Sequence, residues 1–212
     1  MTVHELRLRL ERAKGRCAQL QDSAQALAQR MELTRRSVVR HEQALEVVRQ
    51  VGLLTQQQLE YHLSEQVSLA LAAVMDDPYK FKATFAERRG KTEVELLFSR
   101  RGLEFAPLGS AGGGAIDVAS FALRVAYWSM RRDRRVQSVM LLDEPFAQLK
   151  GAEPNRRALA LVGEISRQLQ LQMLIVSDER VPKEDIMDNA DRVFDVRRGN
   201  DGVSHVTAVG RT

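Results

Sequence analysis

Apolar residues recur along the first quarter of this sequence at an average spacing of 3.5. Leu10, Cys17, Ala24, Met31, Val38 and Leu45 hold one seam position, and Ala13, Leu20, Leu27, Thr34, His41 and Val48 hold the other. A repeat of that period, kept over many turns, is what a left-handed supercoil with a partner helix demands; a lone amphipathic helix has no need of it. Residues 1–51 are therefore expected to form a coiled-coil arm, whose heptad stretch from Leu10 onward is about 60 to 70 Å long at about 1.5 Å per residue. The partner is another chain or a second copy. Gly15 inside the arm costs roughly 1 kcal/mol against alanine and softens its early part. The competing reading is a helix packed on its own globular domain, and the narrowness of the stripe argues against it.

Gly52 follows the last seam residue and reads as a helix stop. A second helix is expected from Thr55, where Thr55 and Gln58 have capping-box spacing and Leu59, Leu63, Val67, Ala70 and Val74 continue at helical period. After Asp76, Asp77 and Pro78 the period becomes two. Tyr79, Phe81, Ala83 and Phe85 alternate with Lys80, Lys82 and Thr84, Arg88 to Lys91 turn the chain, and Thr92, Val94, Leu96 and Phe98 alternate with Glu93 and Glu95. This predicts a β-hairpin with one buried face, its Lys-rich and Glu-rich outer faces opposed. Further on, Pro107 to Gly114 form a glycine-rich turn before a buried helix carrying Ile116, Phe121, Leu123, Val125 and Trp128. Glu153 and Pro154 open another helix through Leu169, and Leu171 to Val176 is a continuous apolar run, the mark of a parallel strand buried on both faces and reached through a helical crossover. Residues 192–197 and 203–209 flank Gly199-Asn200-Asp201-Gly202 as a terminal hairpin. Residues 52–212 are thus expected to form one α/β domain.

Charge adds a leaning rather than an answer. The net charge of +4 and pI near 9.5 favour an acidic partner such as nucleic acid. Basic residues gather at Arg35, Arg36 and Arg40, at Arg131, Arg132, Arg134 and Arg135, and at Arg197 and Arg198; each cluster reads either as phosphate contacts or as a solvated helix end or loop. Cys17 is the single cysteine, the four histidines are scattered, and no long apolar stretch occurs. A cytoplasmic protein with neither disulfide nor structural metal, and no membrane partner, is the expectation.

The chemistry concentrates in SVMLLDEPFAQLKG, where an apolar strand ends in two adjacent carboxylates, Asp143 and Glu144. That is the pattern of a Walker B strand. The first carboxylate holds magnesium at the strand tip, and the second orients and deprotonates an attacking water. The bland alternative is a buried strand before an acidic turn. One helix upstream, the glycines at 112–114 and Ser110 offer amide and hydroxyl donors at a helix N-terminus, where a phosphate is favoured.

The order of helical arm, hairpin, Gly/Ser turn with buried helix, LLDEP strand, helix and LIVSD strand resembles the C-terminal half of an ABC-type ATPase head of the SMC family, especially SbcC-like recombination and repair ATPases and their phage relatives. The resemblance implies an α/β fold, the C-terminal lobe of a P-loop ATPase head with a mixed sheet and flanking helices, after a coiled coil. It implies ATP and Mg2+ as cofactors. Ser110, Gly112, Gly113 and Gly114 are similar to the signature loop, which touches the terminal phosphate of ATP on the opposite head. Asp143 is similar to the magnesium ligand, Glu144 to the catalytic base, and Ser177 with Asp178 to the switch position. The implied partners are a Walker A lobe, a second head in a head-to-head dimer, DNA and a nuclease subunit.

Three departures bear on activity. The family signature runs Ser-Gly-Gly before Gln or Glu, whereas Ser110-Ala111-Gly112-Gly113-Gly114 leaves two registers open. Leu149-Lys150 replaces the usual Leu-Asp, and Ser177-Asp178 replaces Ser-His. A carboxylate in place of imidazole brings negative charge toward a phosphate, which is unfavourable without a bridging cation. These changes argue against rapid hydrolysis and leave a noncatalytic assembly or regulatory subunit as the alternative. No GxxxxGK[ST] occurs, so the loop that cradles the β- and γ-phosphates must come from elsewhere. A separately encoded half and an excised piece both remain open.

Overall fold

The computed structural model describes residues 2–131, 138–177, 180–200 and 202–209. Its first helix, α1 (Val3–Val74), opens on a capping box that sequence reading missed. The Thr2 amide donates to Glu5 Oε2 at 2.8 Å, and the Glu5 amide reaches Thr2 Oγ1 at 3.4 Å. The expected stop at Gly52 does not occur. The helix runs through it, and Thr55 is no cap, because its hydroxyl donates back to the Val51 carbonyl at 2.8 Å. One glycine costs only about 1 kcal/mol within a cooperative helix. The chain divides into two units, residues 1–55 and 56–212. In the first unit the seam residues Leu10, Leu20, Leu27, Met31, Val38, Leu45 and Val48 are all exposed.

In the second unit, β1 (Lys80–Arg88) and β2 (Lys91–Arg100) pair antiparallel through a two-residue turn at Arg89 and Gly90. Both turn residues have positive φ, 53° and 71°, as a type I′ hairpin requires. That turn fixes the register, and the register departs from the expected Lys–Glu opposition: Lys80 faces Ser99 and Lys82 faces Leu97. Lys82 instead reaches Glu104 at 3.1 Å on β3 (Leu103–Phe105), which extends the sheet beyond β2. Phe81, Ala83 and Phe98 are buried, and Tyr79 stacks on Phe98 with ring centroids 5.1 Å apart.

The outer edge of β1 is closed by the last turns of α1. The amides of Phe81 and Ala83 donate to Ser68 Oγ (2.8 Å) and Ser64 Oγ (3.0 Å), and that of Phe85 donates to the Glu60 carboxylate. Residues four apart on a helix thus meet residues two apart on a strand, and a row of free edge donors is satisfied.

Helix α2 (Gly113–Met130) joins two parts of the core. Ala115, Val118, Ala119 and Ala122 pack with Val67, Leu71 and Val74 of α1 and with the hairpin phenylalanines. Phe121 and Val125 pack with Leu142 of β4 (Val139–Asp143) and Val162 of α3 (Ala152–Leu169). Strand β4 pairs in parallel with β5 (Gln172–Val176), as the crossover pattern predicts. Burial on both faces is not found. Met140, Leu142, Met173 and Ile175 face the core, whereas Leu141, Leu174 and Val176 on the other side are 70%, 55% and 57% exposed. A short helix, α4 (Lys183–Asn189), is tied to α3 by Arg156 Nε and the buried Asp185 carboxylate at 3.1 Å. The terminal hairpin, β6 (Val193–Arg198) with β7 (Ser204–Val209), forms as expected.

Candidate functional site

Strand β4 carries Asp143 to its tip, opposite Val176 of β5. Side chains alternate along a strand, so Asp143 shares the open face with Val139 and Leu141, while Leu142 points into the core. Glu144 then breaks the strand. Its amide donates to the Val176 carbonyl at 3.0 Å, its φ is 39°, and both Asp143 and Glu144 are exposed. A left-handed conformation at a non-glycine residue costs roughly 1–2 kcal/mol, and such strain persists where surrounding contacts over-determine it. Ser177 follows directly on β5, so Asp143, Glu144 and Ser177 meet at one end of the parallel pair. Asp178 lies outside the described residues.

The segment after Glu144 is pinned from several sides. The Gln148 amide donates to Asp117 Oδ2 of α2 at 2.7 Å, and Asn155 Nδ2 of α3 donates to the carbonyls of Leu149 (3.1 Å) and Gly151 (2.8 Å). Arg180 donates to the Ala147 carbonyl. Leu149 is buried in the core, and Lys150 is exposed. Asp117 and Arg180 were not legible as site residues, since each acts on a backbone group far away in sequence. The carboxylate near the start of a helix was the only signal for Asp117.

The glycine-rich turn meets this same segment. A Cβ on Gly113 would fall 1.7 Å from Gln148 Oε1, and one on Gly114 would fall 2.9 Å from Leu149 Cδ1 and 3.0 Å from Leu149 Cα. These two glycines therefore let the α2 N-terminus approach the loop after β4. Gly112 is different: it is the N-cap, nothing lies within 4 Å of its Cβ position, and it offers no side chain to the first-turn amides. Ser110 is exposed beside it. The α2 N-terminus thus keeps its positive end uncapped by any side chain, a suitable place for an anion.

A single carboxylate at a strand tip fits magnesium, which binds nucleotide sites through one or two carboxylates, phosphate oxygens and water. Among the described residues no group of three His, Cys, Asp or Glu side chains could hold a metal by itself. The basic clusters are partly engaged: Arg36 pairs with Glu32 at 2.8 Å, Arg197 with Asp195 at 3.0 Å, and Arg131 lies over the Tyr127 ring at 5.8 Å. Arg132, Arg134 and Arg135 lie outside the described residues. No described helix is long and apolar enough to cross a membrane.

No protein-family model matches the chain, and no curated protein does. Solved structures do. The chain superposes on an Smc head bound to the C-winged helix domain of ScpA with a TM-score of 0.56 and 18% identity, over 72% of this chain and 44% of that one. It matches an Smc head with an extended coiled coil bound to the C-terminal domain of ScpA, from Pyrococcus furiosus, at 0.52 and 19%, over 70% and 35%. A third, an Smc head with a coiled coil and joint from Pyrococcus yayanosii, matches at 0.57 and 20%, over 78% and 30%. The chain therefore has the fold of an SMC head, as the order of its motifs implied, and it spans less than half the length of the solved heads it matches.

Proposed function

We propose that this chain is the C-terminal half of an SMC- or SbcC-like ATPase head, contributing a signature loop and a Walker B strand to a composite ATP site completed by a separate Walker A lobe. The observation that carries the reading is the open face of the β4–β5 pair. Asp143 stands at its tip, on the side where Leu141, Leu174 and Val176 are exposed. An apolar sheet face with a metal-competent carboxylate at its end is what a lobe lacking its phosphate-cradling partner presents. Fully burying one such side chain contributes roughly 1.5–3 kcal/mol, so a covering lobe has a driving force at this face.

Asp143 would hold magnesium, and the bound nucleotide with its cation would supply the phosphoryl group and neutralise its charge. Glu144 would orient an attacking water and accept its proton at the carboxylate. Ser110 and the amides of Gly112, Gly113 and Gly114 would meet the terminal phosphate of ATP on a second head, so that ATP closes a head-to-head dimer. Action on DNA in recombination or repair, with a nuclease partner, extends this reading through the family resemblance. DNA affinity should then fall steeply with salt through counterion release.

The test is ATP binding and turnover by the chain alone and mixed with a candidate Walker A lobe, with Glu144→Gln as control. Turnover only in the mixture, abolished by the substitution, is expected. Lys150, where the family carries Asp, favours a second reading as a noncatalytic assembly subunit, and nucleotide binding without turnover in every mixture would establish that instead.

A further inference from the structure

Residues 1–55 carry ten Lys and Arg against six Asp and Glu, which accounts for the whole excess of 32 over 28 in the chain. The position of these charges matters more than their number. Continuing the heptad outward from the seam, the flanking positions hold Arg9, Lys14, Arg16, Arg30, Arg35 and Arg49, against a single acid, Glu42. Flanking positions are where coiled coils choose partners through interhelical ion pairs. Lys14 meets Glu11 at 3.1 Å on its own helix. Among the described residues Arg16, Arg30, Arg35 and Arg49 have no carboxylate at ion-pair distance.

The arm's surface already has the shape of a coiled-coil half. A shallow depression on it is lined by Leu27, Arg30, Met31, Thr34, Arg35 and Val38. Those six residues make up two successive four-residue holes of a knobs-into-holes seam, one cornered by Arg30 and the next by Arg35. The two polar seam residues do not ask for a polar partner. Thr34 Oγ1 donates to the Arg30 carbonyl at 2.8 Å, and His41 Nδ1 lies 2.7 Å from the Ser37 carbonyl. Both satisfy themselves within their own helix, so the seam can be covered by an apolar stripe.

We infer that the arm pairs with a different helix whose seam is apolar and whose flanking positions are acidic, and that it disfavours a second copy of itself. In a parallel self-pair Arg30 would face Arg35 on both sides of the seam. In an antiparallel one each basic row would face itself. Like charges so placed oppose association, and an acidic-flanked helix turns each of them into an ion pair. The inference stands on the arm alone and goes beyond the nucleotide reading, so the Glu144→Gln chain should behave identically in its test.

The experiment uses the full chain and two designed helices with Leu and Ile in the seam, one with Glu and one with Lys at every flanking position. Binding is read by fluorescence anisotropy at low ionic strength. The Glu-flanked helix should bind about tenfold tighter, as several exposed ion pairs of a few tenths of a kcal/mol each would give. The double substitution Arg30→Glu/Arg35→Glu should invert the preference with helicity unchanged by circular dichroism. Should that variant lose helicity, Arg30→Gln/Arg35→Gln, which keeps helix propensity, should reduce the preference. Cys17 lies in the seam and is exposed, so a short bis-maleimide reports a parallel self-pair directly. Equal binding of the two helices, a Cys17 cross-link between copies, or tighter binding of duplex DNA than of the Glu-flanked helix through Arg30 and Arg35 would each overturn the inference.

Discussion

A methyl group at Gly114 would have nowhere to go, since its nearest neighbours include Leu149 Cα at 3.0 Å, a backbone atom that cannot swing aside. Gly114→Ala should therefore lower stability by about 1–3 kcal/mol, the usual range for overpacking, while Gly112→Ser, with open space and a φ of −66° at an N-cap, should be neutral or slightly stabilising. Urea unfolding of the two variants separates them, and equal effects would sink the packing account of the third glycine. The sequence marked both residues as one phosphate-binding run. Composition cannot distinguish a glycine needed for close approach from one that leaves donors open, because the difference lies in Leu149, thirty-five residues away in sequence. Glu144 was legible as chemistry, and its φ of 39° was not. The strain follows from a bend that the parallel partner strand holds through the Val176 carbonyl.

Periodic elements were the most legible. The hairpin, its turn, the crossover and the terminal hairpin all follow from spacing and turn chemistry. The closure of the β1 edge was hidden, because Ser64 and Ser68 are two hydroxyls four residues apart on a helix, Ser68 between Val67 and Leu69, and nothing local marks them as partners of a strand. Ser68→Ala leaves the Phe81 amide of a partly buried edge without its acceptor at 2.8 Å, a loss of about 1–3 kcal/mol. Hydrogen exchange should show the Phe81 amide losing protection; unchanged protection would mean that this amide does not depend on the Ser68 hydroxyl. On β6, the hydrogen bond from Arg197, with Lys183 nearby, holds the Asp195 carboxyl below its ordinary range. A depressed carboxylate contributes stability above its unfolded pKa and loses it as pH falls through the folded value. Arg197→Ala should return the Asp195 titration, followed by carbon NMR, upward toward the ordinary range. A titration that does not move would assign the shift to something other than the arginine.

The molecule as a whole carries faces that its own described residues do not cover, and their location accounts for the clearest departure from the sequence reading. A continuous apolar run such as Leu171 to Val176 predicts a strand covered on both sides. The fold covers one, leaving Leu174 55% exposed in line with Leu141, and the terminal hairpin likewise exposes Phe194, Val196 and Val206. A sequence records that a face is apolar; it does not record which polypeptide supplies the cover. Leu174→Asp makes that distinction measurable. On an exposed face the substitution should change the stability of this chain by only about 0.5 kcal/mol. If the same face receives a second lobe, a charge placed there is desolvated without a partner, and association should weaken by tenfold or more. The paired measurement is urea unfolding of the variant alone and its affinity for the Walker A lobe. Intact stability with lost association locates the second lobe on this face. Intact stability with unchanged association puts the lobe elsewhere and removes the main support for the composite site, and an unfolded variant would show that the face is already covered from within.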